Sequence, residues 1–353
     1  MTDKQWMDFC ADLQKKHAAL EEHFLARQKE GKAGLVSPGG RGNIPVIYAA
    51  GANLPEAWEN SLIALWARGV FVRTQYDRKD AAGYIDPPSK DCTMIMTIEE
   101  PLSEPMIHRD FPGGLDALEE YKQEVVDGIK DDWIRDPNDP QDTRWEYTYH
   151  GRIFHYEAPG LKAPVDQFEV MAKNLAKSPV TRRAQVITWK PWEDMVIADP
   201  ACLQSIWGRI LRESPEAGLE FYADEATGKP KLNLNWRFRS RDAYGAAFMN
   251  DYALITLGAK LARRVSELRG EEVSLGRVVD CSDSYHLYGK DYKQFLGAFT
   301  RSLTTRHFLP EGERDMKART WRSDSELIKA VMAEARQRIP EKLAAERAKF
   351  PKR

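Results

Sequence analysis

The sequence predicts an α+β protein, a single domain spanning residues 1–353 in which a large mixed β-sheet packs with helices. Three observations carry that reading. Segments with helical apolar spacing and short strand-like runs are mixed along the chain without strict alternation. The composition, 42% hydrophobic and 30% charged over 353 residues, suits a soluble globular chain with a sizeable core. No repeat or low-complexity segment interrupts the pattern, and no apolar run approaches the ~20 residues that span a bilayer.

From Lys4 to Arg27, Trp6, Phe9, Leu13, Leu20 and Phe24 recur near helical spacing, which predicts one amphipathic helix closed by Gly31. Ser37 to Gly42 reads as a loop. Asn53 caps a second predicted helix from about Glu56 to Arg68, and Gly69 stops it. Val70–Val72 and Cys92–Ile98 read as strands, and Leu115–Ile129 as a helix. Val165–Ala176 reads as helix, Ala184–Trp189 and Leu203–Leu211 as strands. In Leu232–Arg239, Leu232, Leu234, Trp236 and Phe238 alternate with Asn233, Asn235, Arg237 and Arg239, as in a strand with one apolar face. The stretch 214–231 exceeds what a hairpin needs and reads as an insertion. Tyr252–Leu268 and Leu327–Lys349 close the chain as helices.

The formal charge of −2 gives no global attraction for nucleic acid, so an anion site must come from locally gathered arginines and favours a small ligand. The four cysteines, Cys10, Cys92, Cys202 and Cys281, are scattered without metal spacing, which argues against a zinc centre and a disulfide framework. A start without a basic, then apolar, leader points to a cytoplasmic protein, with no membrane or metal expected.

Cys202 follows the pair Arg182-Arg183 and precedes Arg239-Ser240-Arg241-Asp242. Positive charge lowers a thiol's pKa, and the thiolate is the nucleophile. The competing reading is a buried, inert cysteine. Together, Thr181-Arg182-Arg183, Trp189-Lys190-Pro191, Pro200-Ala201-Cys202, Arg239-Ser240-Arg241-Asp242, Asn250 and His286-Leu287-Tyr288 resemble the thymidylate synthase family, which includes pyrimidine nucleotide hydroxymethylases. The resemblance is good from about Tyr147 to Leu303 and loose over the divergent N-terminal part, about residues 1–140.

The resemblance implies a thymidylate synthase-like fold and a pyrimidine nucleoside monophosphate substrate. It also implies a covalent adduct between Cys202 and C6, with 5,10-methylenetetrahydrofolate as one-carbon donor. Arg239 would bind the 5′-phosphate, Ser240 after it favours a 2′-deoxyribose nucleotide over the ribose one that stays open, and Arg182 and Arg183 would reach the phosphate held by the other subunit of a homodimer. His286 and Tyr288 would hold the sugar hydroxyl, and Asp242 is a candidate folate contact. Tyr149 would be the active-site tyrosine, with Tyr147 as competitor. Glu124, followed by Val125-Val126, resembles the family's glutamate before two apolar residues and would be the general acid/base, with Glu120 and Glu59 in reserve. Arg73-Thr74 or Arg78, and Phe111-Pro112, are weaker matches.

Asn250 matches uracil, because an amide both donates to O4 and accepts from N3–H, although Asp251 next door would suit cytosine. The family usually has histidine after its cysteine and Gly-Asp-x-His before its sugar-binding tyrosine; this chain has Leu203, and Asp283-Ser284-Tyr285-His286. A carboxyl terminus ending Phe350-Pro351-Lys352-Arg353 looks unlike an apolar lid, which leans the product toward hydroxymethyl. The favoured expectation is thus C5 hydroxymethylation of dUMP. Its alternatives are methylation to dTMP, hydroxymethylation of dCMP or CMP, a non-catalytic nucleotide- or RNA-binding protein, and a cysteine hydrolase lacking a visible His/Asp pair.

Overall fold

The computed structural model describes residues 1–136, 139, 141–212, 228–312 and 315–349. Most of the expected insertion at 214–231, and the last four residues, lie outside them. The chain divides into two compact units, each built from three separate segments. The first comprises Met1–Pro112, Phe238–Phe248 and Val279–Ser325; the second comprises Gly113–Arg237, Met249–Val278 and Glu326–Arg353.

The first unit opens with two helices where the apolar spacing predicted one: α1 (Asp3–Lys16), capped by Thr2, and α2 (Ala19–Lys29). The chain leaves helical geometry at His17 (φ −109°, ψ 36°), so Trp6 and Cys10 are buried on one side of the break and Leu20 and Phe24 on the other. Strands β1 (Ala33–Ser37) and β2 (Val46–Gly51) follow, then α3 (Leu54–Arg68). Asn53 caps α3 by accepting from the Glu56 amide at 3.1 Å, as its sequence signal predicted. The helix is buried nearly all round, with Trp58, Leu62, Leu65 and Trp66 fully buried and Glu59, Asn60 and Ser61 buried among them.

Strand β3 (Val70–Val72), the short pair β4 (Lys79–Asp80) and β5 (Gly83–Tyr84), and the long β6 (Ser89–Ile98) come next, with β7 (Ile107–His108) beyond. The sheet is mixed: β1 is antiparallel to β2, β2 parallel to β6, and β3 antiparallel to β6.

The second unit contains α4 (Gly114–Asp127), α5 (Tyr149–Phe154), α6 (Gln167–Lys177), β8 (Gln185–Ile187), α7 (Pro191–Asp194), β9 (Leu203–Arg212) and β10 (Pro230–Phe238, all but its last residue). β8 and β9 are antiparallel, and β9 lies beside β10. The alternation read in β10 holds: Leu232, Leu234 and Trp236 are buried, while Arg237 is exposed.

Strand β11 (Arg241–Asp242) belongs to the first unit, and α8 (Ala247–Arg269) to the second from Met249 onward. β12 (Ser274–Leu287) gives residues 279–287 to the first unit, where it lies beside β6 and pairs in parallel with β11. Helices α9 (Tyr292–Gln294) and α10 (Thr300–Thr305) flank a π-helical turn, Phe295–Phe299, and β13 (Thr320–Trp321) pairs with β7. Finally α11 (Glu326–Lys349) packs on α4 in the second unit through Arg336–Glu119 and Lys342–Glu120 pairs. Among the described residues no helix is long and apolar enough to cross a membrane.

Candidate functional site

In the second unit, Cys202 sits half-buried on the residue that leads into β9. Gln204 Nε2 donates to the Ala201 carbonyl at 2.7 Å and fixes the turn, and the Cys202 sulfur lies 4.0 Å from the Pro200 carbonyl. The next residue is held by a tyrosine: the Leu203 amide donates to the Tyr149 hydroxyl at 3.1 Å. Tyr149 opens α5, whose cap is Thr148, so a helix positions it.

Tyr147 and Tyr149 pack with ring centres 5.5 Å apart. Burial pushes the Tyr147 phenol far above its usual range, and the neighbouring Tyr149, Cys202 and Asp199 add to the effect. Tyr147 is therefore a neutral phenol at physiological pH. The structure thus gathers both candidate tyrosines around the candidate nucleophile.

Arg182 and Arg183 precede β8, are exposed, and form no ion pair among the described residues. Their backbone is nonetheless anchored, because Trp207 Nε1 donates to the Arg182 carbonyl at 3.2 Å. A pair of solvated guanidiniums on a fixed turn suits capture of an external anion.

Also in the second unit, Asn250 on α8 donates through Nδ2 to the Tyr121 hydroxyl of α4 at 2.5 Å. Asp251, its rival for reading the base, is fully buried and accepts from Trp236 Nε1 at 3.0 Å. Glu124 lies one helical turn beyond Tyr121. Burial pushes its carboxyl up to about 7, although Lys130 at 3.7 Å opposes the rise.

The reserve glutamates behave differently. Burial would raise Glu120, but hydrogen bonds from Lys130 and Lys342 outweigh it and hold the carboxyl below its usual range. For Glu59, in the first unit, burial is likewise outweighed by His108 and Arg319, leaving a carboxylate at about 2. Of the three, Glu124 alone has the raised pKa that acid/base work near neutrality needs.

In the first unit, Arg239 and Ser240 lie half-buried between β10 and β11. The following Arg241 is buried, pairs with Asp280, donates to the Ala247 carbonyl at 2.9 Å and stacks 3.9 Å from the Phe238 ring centre. That buried guanidinium braces the turn carrying its two neighbours. Asp242 Oδ1 accepts the Tyr244 and Gly245 amides at 3.1 and 2.8 Å, so part of this carboxylate maintains the turn.

His286 is buried in β12, and the Tyr288 ring meets it edge-on at 4.6 Å. Its Nε2 has no hydrogen-bond partner among the described residues. The weaker arginine candidates have partners inside the chain: Arg73 bonds Asp77 and the Asp86 carbonyl, and Arg78 makes a two-pronged pair with Asp86 at 2.7 and 2.9 Å. Phe111 is buried against Phe248 at 4.9 Å.

No family model matches this chain. Curated relatives do. A protein named "Putative thymidylate synthase" from Methanosarcina acetivorans is 27% identical over 240 residues, covering 68% of this chain and 88% of its own length. Its namesake from Methanosarcina mazei is 28% identical over the same extent. These matches make the chain similar to proteins named for the thymidylate synthase family. The likeness extends to a shorter match with the protein of the same name from Methanocaldococcus jannaschii, 27% identical over 183 residues, or 50% of this chain and 66% of that protein. Among solved structures, thermostable thymidylate synthase A from Bacillus subtilis matches with a TM-score of 0.48 and 16% identity, over 70% of this chain and 84% of its own.

Two features escaped the family motifs. Tyr121, the partner of Asn250, is one aromatic of an ordinary amphipathic helix and carries no signal of its own. Asp91, buried in β6 and accepting from Ser284 Oγ at 2.8 Å, lies in the polar start of that strand, just before the predicted Cys92–Ile98 run, and carries no signal of its own. The sequence also gave no metal spacing, whereas the second unit brings ligand atoms of Asp131, His150 and His155 within 4.8 Å of one another. Two of these already bond each other, His150 Nδ1 to Asp131 at 2.6 Å, and Asp131 also receives the Thr148 hydroxyl that caps α5.

Proposed function

We propose that this chain transfers a one-carbon unit to C5 of a pyrimidine nucleoside monophosphate, with dUMP the favoured substrate and the hydroxymethyl nucleotide the favoured product. The observation that carries the reading is a half-buried Cys202 at the head of β9, flanked by Tyr149 and Tyr147, in a chain whose curated relatives bear the thymidylate synthase name.

In this reading the Cys202 thiolate adds to C6 of the base and the pair of electrons it displaces makes C5 nucleophilic. 5,10-Methylenetetrahydrofolate, when bound, supplies the methylene carbon that C5 attacks. Glu124 moves protons at the base, and its carboxyl, titrating at about 7, can both give and take one at neutral pH. Asn250 reads the base, since Asp251 is turned to Trp236. Arg239, with the exposed Arg182 and Arg183 contributed by a second subunit, binds the phosphate, and Ser240 beside it favours a deoxyribose; bidentate guanidinium donors suit that anion. His286 and Tyr288 take the sugar hydroxyl. Asp242 fits a pterin contact, because a carboxylate accepts from ring N–H groups.

Loss of the C5 proton and departure of tetrahydrofolate would leave an exocyclic methylene on C5; addition of water to it, with departure of the Cys202 thiolate, would give hydroxymethyl, whereas hydride from the tetrahydrofolate would give methyl. The test is to incubate the protein with methylenetetrahydrofolate and dUMP, dCMP, UMP or CMP separately and weigh the products. A gain corresponding to CH2O on dUMP is expected; a gain of CH2 makes the chain a methylating enzyme, and no mass change for any nucleotide overturns the catalytic reading. Cys202→Ser is expected to keep dUMP binding and to lose at least 10³-fold in turnover, on the order seen when a covalent nucleophile is removed. Unimpaired turnover in that variant refutes the adduct.

A further inference from the structure

We propose that Asp91 and Ser284 are positioning residues that lock His286 in one tautomer, with the proton on Nδ1 and a bare lone pair on Nε2. The proposal rests on the reading of His286 as a ligand to the nucleotide's sugar hydroxyl, and it adds which partner donates.

Ser284 Oγ lies 2.8 Å from Asp91 Oδ2 and 3.2 Å from His286 Nδ1. A hydroxyl has one proton, and an ionised carboxylate only accepts, so the Ser284 proton goes to Asp91. The serine oxygen is then an acceptor toward Nδ1. A second contact agrees, because His286 Nδ1 is 3.3 Å from the Ser284 carbonyl, which also only accepts. Both contacts require Nδ1–H. All three groups belong to the first unit, Asp91 on β6 and the other two on the neighbouring β12.

Burial pushes the ring's pKa down to about 4, so at neutral pH it is uncharged and has one N–H to place. With that proton on Nδ1, Nε2 is a lone pair in a residue 93% removed from solvent (7% exposed), and no donor among the described residues reaches it. A buried acceptor without a partner costs free energy that a ligand hydroxyl recovers by donating to it. Burial also raises Asp91, to about 6, against hydrogen bonds from Ser284 and the Cys92 amide; it is still mainly ionised at neutral pH and above.

The test reads the tautomer directly. Long-range proton–nitrogen NMR correlations of the ¹⁵N-labelled chain, at mildly alkaline pH and with His286 assigned by its loss in His286→Asn, should show Nδ1 protonated. A wild-type ring protonated on Nε2 overturns the relay without any variant being needed. In Asp91→Asn the amide can donate to Ser284 Oγ, which frees the serine proton for Nδ1 and moves the ring proton to Nε2; an unchanged tautomer in a folded variant refutes the proposal.

Binding then separates this inference from the functional reading. Asp91→Asn should weaken dUMP by about tenfold while leaving 2′,3′-dideoxyuridine monophosphate unaffected, because only the hydroxyl-bearing ligand uses the lone pair. Equal weakening of both nucleotides refutes the positioning role. A tautomer that shifts as expected in a protein that binds neither nucleotide upholds the relay and removes the ligand assigned to it.

Discussion

Glu124 shows how far surroundings can change one carboxyl. Its folded pKa of about 7 exceeds the ordinary 4.5, so the folded state holds a proton that the unfolded state has released across that window. Stability from this group therefore falls as pH rises from about 4.5 through 7. Glu124→Gln should be stabilised relative to the parent by on the order of 1–3 kcal/mol above pH ~7 and by little below pH ~4, as urea titrations at the two pH values would record. The same variant should lose about 10²-fold or more in turnover if the carboxyl moves protons at the base; an unaffected rate assigns Glu124 to packing alone.

Individual residues were legible in uneven ways. Cys202 and Arg239 stood out because the order of cations and thiol is rare, and the choice of Glu124 over Glu120 and Glu59 was made on neighbouring apolar residues. What separates the three glutamates is which cation reaches each one. Lys342 reaches Glu120 from 222 residues away and Arg319 reaches Glu59 from 260 away, distances that no local pattern encodes.

Among the elements, α3 depends most on a single polar side chain. Glu59 is 2% exposed and takes hydrogen bonds or ion pairs from Arg27, His108 and Arg319. Removing one member of such a buried set leaves uncompensated charge, so Glu59→Ala should cost about 3–5 kcal/mol in denaturant unfolding. Its folded pKa, about 2, lies below the ordinary value, so its contribution is intact above pH ~4.5 and is lost as pH falls toward 2. A denaturation midpoint insensitive to pH across that range would count against the ion set.

The C-terminal helix makes a related case. Arg336 and Lys342 of α11 engage Glu119 and Glu120 of α4, so deleting residues 326–349 strips cations from two buried carboxylates. The second unit of such a truncation should melt earlier than in the whole chain by calorimetry. Strand β10 and helix α3 were readable because alternation and a capping asparagine are local signals. The break between α1 and α2 was not, since neither glycine nor proline marks His17, and the bend exists to bury two apolar stripes at once.

For the molecule as a whole, the boundary that matters is discontinuous. The first unit takes strands from three stretches of chain, and β6 needs residues 279–287 of β12 beside it. A fragment of residues 1–112 should therefore lack a cooperative thermal transition by circular dichroism, since β6 would present an unpaired edge. The mixed order of helices and strands revealed the class of fold, and the single-domain reading followed from length. The interleaving of segments stayed hidden because it is decided by contacts between residues hundreds of positions apart.

The lone pair proposed for His286 Nε2 has a consequence for inhibitor chemistry. Nucleotide analogues that carry fluorine or a methoxy group in place of the sugar hydroxyl would set one electron-rich atom against another and should be rejected. An amino substituent, which still brings a hydrogen, should be admitted.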